Sequence, residues 1–374
     1  MTIEIEGLSP ERFAKVRDAF AGHFAAGEEL GARFTVCEDG EVVLDLQAGW
    51  ADRAKTRPFA EDTLVPVWSL TKAVTATMLA WAVERGKLDY EQTVASLWPE
   101  FAQAGKGAIT VGQALSHQAG LAGFPHEVDA RIWFDWAAVV AEIEAMAPMW
   151  EPGTASGYAP NLFGFVAGEI FRRADGRSIG RALAEDFAGP FGLDLWIGLP
   201  ASEDARVAEV RKPAGLADFG EHNAPTKAAF LSPWSSARGT DEEWRRMESP
   251  GVNGIVTAEA VARLMGMLAN GGELGGRRVL SPETIAAASR ERIRGRDLVL
   301  PFELSWAAGF QRSEPNMIYG PNPDAFGHAG WGGSCAFADP ARRLSAAYTT
   351  NRQSTSLIGD PRALRLIEAL YASV

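Results

Sequence analysis

Apolar and polar positions alternate in three different ways along this chain, and each way predicts an element. From Pro10 to Ala25 apolar residues recur at helical spacing, so an opening amphipathic helix is expected. "ARFTVCEDGEVVLDLQAGWA" then reads as two strands joined at Asp39-Gly40, a pair suited to the positive φ angles of a tight hairpin turn. From Ser69 the period returns to that of a helix, with Leu70, Val74, Met78 and Leu79 or Trp81 recurring until Gly86 stops it. Helical and loop segments dominate from there to about residue 250. Near the end, "LSWAAGFQ", "GSCAFADP" and "RLSAAYTTN" are short, part-alternating runs that read as strands, and "DPRALRLIEALYASV" reads as a closing helix. A hairpin near one end and strands near the other predict an α+β protein with one antiparallel sheet built from both terminal segments. The expected division is 1–75 with 255–374 for the discontinuous sheet domain, and 76–254 for a mainly helical insertion.

Length and composition narrow the class. The chain has 374 residues, 47% of them apolar, 22% charged and 10% aromatic, enough to bury a large core. Its net charge of −12 argues against a nucleic-acid partner, which requires a basic face. No apolar run approaches the roughly 20 residues that span a bilayer. Cys37 and Cys335, far apart, give no disulfide framework, and "MTIEIEGLSPERFAKV" has no secretory pattern, so a cytoplasmic location is expected. The histidines 23, 117, 126, 222 and 328 form no metal-binding spacing, and no nucleotide loop is present. No cofactor or metal is therefore expected. His117, in "LSHQAGL", lies between Leu115 and Leu121 and reads as part of a structural turn.

Two serines compete for a catalytic reading. "GRSIG", residues 176–180, matches the Gly-x-Ser-x-Gly pattern of many serine esterases. That pattern works only where a strand enters the serine and a helix leaves it. Here "NLFGFVAGEIFRRADG" is a helix ended by Gly176, and Ser178 falls where the N-cap of the next helix belongs. Ser69 has the better neighbour. Lys72 follows three residues later, so the two side chains share one face of a helical turn. A serine hydroxyl is a weak nucleophile until a base takes its proton, and a desolvated lysine can be that base. The helix N-terminus adds N–H donors for a developing oxyanion.

Five segments in order, "SLTK", "ITVGQALSHQAGL", "WEPGTASGYAPNLFG", "NGGELGGRRVLSPETI" and "FGHAGWGGSCAFADP", resemble the serine β-lactamase-like enzymes. This group includes class C β-lactamases, penicillin-binding D,D-peptidases and the family VIII carboxylesterases. The resemblance runs from about residue 20 to the C-terminus and implies the β-lactamase-like fold. It also implies that Ser69 is the acylated nucleophile and Lys72 its proton acceptor. Tyr158 would relay a proton if nearby cations lowered its pKa from about 10. Which of Lys72 and Tyr158 is the base stays open. The resemblance further implies an oxyanion hole from the main-chain N–H groups of Ser69 and Trp331. Gly330 would let the backbone approach the substrate, and His328 would lend partial positive charge near Tyr158.

Two departures favour the esterase branch. Where many relatives have Tyr-x-Asn, this chain has Tyr158-Ala159-Pro160, with Asn161 displaced by one. Proline cannot hold an acylamide as asparagine does. His328 stands where β-lactamases usually have lysine, and neutral imidazole pairs poorly with a substrate carboxylate. The reading is a serine carboxylesterase cleaving small, short-chain esters. β-Lactamase, D,D-peptidase or D-amino-acid amidase activity, acyl transfer and a silent ligand-binding homologue stand as alternatives. The homo-oligomeric state is left open. Among the twelve tryptophans, Trp331 stands out as a site residue; Trp133, Trp136, Trp150, Trp234 and Trp244 include candidates for the wall of an apolar acyl or alcohol pocket, but for each one alone core packing is the better reading.

Overall fold

The computed structural model describes residues 3–215 and 217–374. Among them, nine strands form one antiparallel sheet in the order β1-β3-β2-β14-β13-β12-β11-β10-β9. The first three are β1 (Glu6–Leu8), β2 (Gly31–Glu38) and β3 (Glu41–Gly49). Asp39 and Gly40 join the last two with φ of 54° and 86°, as a tight hairpin requires. A small separate sheet, β4-β6-β5, is made from β4 (Val65–Pro66), β5 (Leu195–Ile197) and β6 (Gly254–Val256). A two-stranded ribbon follows, β7 (Glu273–Leu274) with β8 (Arg277–Arg278). The main sheet is completed by β9 (Ile293–Arg296), β10 (Glu303–Trp306), β11 (Gln311–Arg312), β12 (Phe326–Ala329), β13 (Cys335–Asp339) and β14 (Leu344–Thr350).

Both terminal segments build the sheet, because β14 lies against β2 along its whole length, from Leu344 opposite Glu38 to Thr350 opposite Ala32. Side chains alternate across it with period two. Phe34, Val36, Leu344, Ala346 and Tyr348 face the terminal helices Ala14–Ala25 and Pro361–Tyr371 through Phe20, Leu366 and Leu370. Cys37, Ala336, Ala338 and Ala347 face the opposite core with helix Ala258–Ala269. Every residue of β14 is buried, since helices cover both faces.

The Thr71–Glu84 helix runs through residue 75 without a break and packs on the Leu162–Asp175 helix. Region 76–254 is largely helix and loop, but it also contributes β5 and the first residue of β6. The free thiols Cys37 and Cys335 are both buried. No helix of the described residues is long and apolar enough to cross a membrane.

Candidate active site

The chain leaves β4 at Pro66, turns sharply, and enters one 3-10 turn, Trp68–Leu70, that continues into the Thr71–Glu84 helix. The turn is strained: Trp68 has φ +46°, a conformation unfavourable for a bulky side chain. Thr71 holds it by donating from Oγ1 to the Trp68 carbonyl while accepting from Gly254 N–H at 2.7 Å. Ser69 therefore stands at the start of a helix, presented by a strand and a tight turn.

Lys72 follows one turn later and is fully buried. Its Nζ lies 3.2 Å from Ser69 Oγ, 2.9 Å from the Pro160 carbonyl and 2.8 Å from the Gly251 carbonyl. Burial holds its pKa well below the usual lysine value. A neutral amine has two N–H donors and one lone pair. With the donors on the two carbonyls, the lone pair is left for Ser69 Oγ, the third polar atom bound to Nζ.

Tyr158 closes the other side. Its hydroxyl donates to Ser69 Oγ at 2.6 Å, and its ring stacks on Trp306 at 5.7 Å, with Lys72 Nζ 4.8 Å from the ring centre. The sequence reading required the phenol to be acidified. Burial instead raises its pKa above the usual tyrosine value, more than the Ser69 hydrogen bond lowers it. The phenol stays protonated, and Lys72 is the group whose environment favours the basic form.

His328, on β12, lies 6.1 Å ring to ring from Tyr158, but not as a cation. Burial lowers its pKa to about 3, so the expected positive charge is absent near neutral pH. Its Nδ1 donates to the Ala329 carbonyl at 2.7 Å.

Gly330 differs from expectation too. A Cβ there would collide with the Val67 carbonyl and crowd Leu70 N, so the missing side chain lets the third motif press on the Ser69 turn, and Gly330 does not line the cavity. Trp331, next in sequence, lines the same cavity as Ser69, and its main-chain N–H donates to no described residue. Asn161 does line the cavity, with its Nδ2 bound to the Ser235 carbonyl at 2.6 Å.

Ser178 is elsewhere. It caps the Ile179–Leu183 helix, accepts from Arg181 N–H at 3.3 Å and donates to Glu248 at 2.8 Å.

Above Ser69 lies a cavity of about 280 Å³ walled by Trp68, Trp133, Phe230, Trp244, Trp306 and Trp331. None of its described lining residues is Lys, Arg, Asp or Glu. Trp136, Trp150 and Trp234 serve the framework: their indole N–H groups donate to Glu169, Ala155 and Phe124.

Several contributors carried no sequence signal. The Pro160 and Gly251 carbonyls are main-chain groups, and Asp297, whose Oδ1 accepts from Tyr158 N–H at 3.0 Å, sits in an unremarkable "RDLVL". His117, read as a turn residue, packs 4.9 Å from Tyr158. Its place in one of the five ordered segments was the available clue.

Comparison with known proteins places the chain in a family. The family profile described as Beta-lactamase matches residues 16–369. The chain belongs to the β-lactamase family. It is 32% identical to "Esterase/beta-lactamase LipL" of Mycobacterium tuberculosis over 94% of this chain and 84% of that protein. A penicillin-binding protein homologue from Caulobacter crescentus superposes with a TM-score of 0.98 at 59% identity, covering 99% of this chain and all of that one. A family VIII carboxylesterase superposes at 0.93 with 43% identity, over 99% and 100% of the two chains. The fold is thus that of the β-lactamases and penicillin-binding proteins, and the chain is a hydrolase of that superfamily.

Proposed function

We propose that this β-lactamase-family member is a serine carboxylesterase that cleaves short-chain esters through an acyl-enzyme on Ser69. The observation that carries the reading is the Ser69 hydroxyl held between the Lys72 amine and the Tyr158 phenol on the floor of an uncharged aromatic cavity. Lys72 takes the Ser69 proton on its free lone pair as Oγ attacks the ester carbonyl. The oxyanion is met by the N–H groups of Ser69 and Trp331. Tyr158 gives its proton to the departing alkoxide and regains one from the Lys72 ammonium. Water then attacks the acyl-enzyme, losing its proton to the same pair, and Ser69 leaves as the protonated hydroxyl.

The cavity's chemistry favours esters over β-lactams. A β-lactam or peptide brings a carboxylate into the site, and burying that charge without a partner costs several kcal/mol. With His328 neutral and no described cation in the lining, a neutral substrate fits better. The relatives' names, "Esterase/beta-lactamase LipL" and "family VIII carboxylesterase", support the same class.

Ser69→Ala should abolish hydrolysis of p-nitrophenyl butyrate, and Ser178→Ala should leave it within about twofold. The reverse pattern, or faster turnover of a chromogenic cephalosporin than of the ester, would overturn the assignment.

A further inference from the structure

Residues 156–159 carry the phenol, yet they belong to no helix or strand. Buried main-chain N–H groups need acceptors, and here three in succession find them on two distant residues. Gly157 N–H donates to the His117 carbonyl at 3.0 Å, Tyr158 N–H to Asp297 Oδ1 at 3.0 Å, and Ala159 N–H to His117 Nδ1 at 3.2 Å. Ser156 Oγ adds a bond to Asp297 Oδ2 at 3.0 Å. Asp297 is itself fixed, since its Oδ1 also accepts from Val299 and Leu300 N–H at 2.9 and 3.0 Å. His117 is fixed by its ring, 4.5 Å from Trp306 and 5.2 Å from Phe163. It also holds φ +61°, which a histidine adopts only at a cost in strain.

We propose that His117 and Asp297 are positioning residues of the reaction: together they clamp the main chain on both sides of Tyr158 and so fix its hydroxyl on Ser69. The inference rests on the catalytic reading of Ser69 and Tyr158 given above. Neither residue touches the substrate. Each acts through the phenol, whose 2.6 Å contact with Ser69 tolerates little displacement; a shift of about 1 Å in a reacting group can cost roughly 100-fold in rate.

Two substitutions separate positioning from simple support. His117→Phe keeps a planar ring but removes the acceptor for Ala159. His117→Asn restores an acceptor and tolerates the left-handed backbone. His117→Phe should lower kcat on p-nitrophenyl butyrate by roughly 10- to 100-fold with KM changed by less than about twofold, and His117→Asn should recover most of the loss. In a Tyr158→Phe background the His117→Phe change should cost nothing more, because the group it positions is gone.

Circular dichroism and the melting temperature establish that each variant is folded. Should His117→Phe not fold, Asp297→Ala goes through the same cycle with the same two outcomes. A folded variant with wild-type kcat, or one losing the same factor with and without the Tyr158 hydroxyl, overturns the clamp. Full activity in Tyr158→Phe or Ser69→Ala would instead overturn the underlying reading of the site.

Discussion

Lys72 has no described carboxylate within ion-pairing distance, so no ion pair offsets its desolvation. Protonation of the resting amine is therefore disfavoured inside the protein, which leaves Lys72 able to act as a proton acceptor. The sign follows: as pH falls through the lowered pKa, Lys72 gains a proton and kcat/KM on p-nitrophenyl butyrate should decline on an acid limb of unit slope. Lys72→Arg places a permanent cation there and should cost about 100- to 10,000-fold at every pH from 5 to 9. A Lys72→Arg enzyme retaining wild-type rate would show that another group is the base. Ser69, Lys72 and Tyr158 were legible in the sequence because their chemistry resides in side chains at a helical spacing or in ordered motifs. The acceptors that aim Lys72 are carbonyls, which every residue has, so no pattern of residue types announces them.

One face of the Thr71–Glu84 helix grips the segment before β6. Thr71 Oγ1 accepts from Gly254 N–H, Lys72 donates to the Gly251 carbonyl, and Thr75 donates to the Pro250 carbonyl at 2.6 Å. Gly164, on the Leu162–Asp175 helix, presses on that segment from the other side, and a Cβ at 164 would collide with Gly251 N. Gly164→Ala should therefore destabilise the fold by about 1–3 kcal/mol and reduce kcat, because it displaces the carbonyl that orients Lys72. Denaturant titration and steady-state rates test this, and an unchanged kcat would sever the link between the two helices and the amine. Among elements, the β2–β3 hairpin was readable from Asp39-Gly40, and the Ser178 cap from the helix stop at Gly176. The two- and three-residue strands β1, β4, β5, β6, β7 and β8 were not, since so few residues show no period, and the run "LSWAAGFQ" is divided between β10 and β11 with residues 307–310 outside either strand.

At the scale of the molecule, the two ends of the chain meet on one face of the sheet. His23, on the Ala14–Ala25 helix, receives a bond from Arg365 of the C-terminal helix at 3.3 Å. Burial first, and then Arg365 and Arg362, lower its pKa to about 4. The unfolded chain, with an ordinary histidine near 6.5, takes up the proton first as pH falls. This residue therefore contributes stability that is lost from about pH 6.5 down to about pH 4, at roughly 1.4 kcal/mol per pH unit. His23→Gln keeps an acceptor for Arg365 and cannot protonate. Across that window its unfolding free energy should fall less steeply than wild type by about that slope, and parallel curves would contradict the assignment.

The sheet order carries a consequence for biosynthesis. Strand β2 and its second neighbour, Leu344–Thr350, are separated by more than 300 residues of chain. A growing chain therefore holds that apolar edge unpaired until residues 344–350 have been made, a closure of long sequence separation at the centre of the sheet.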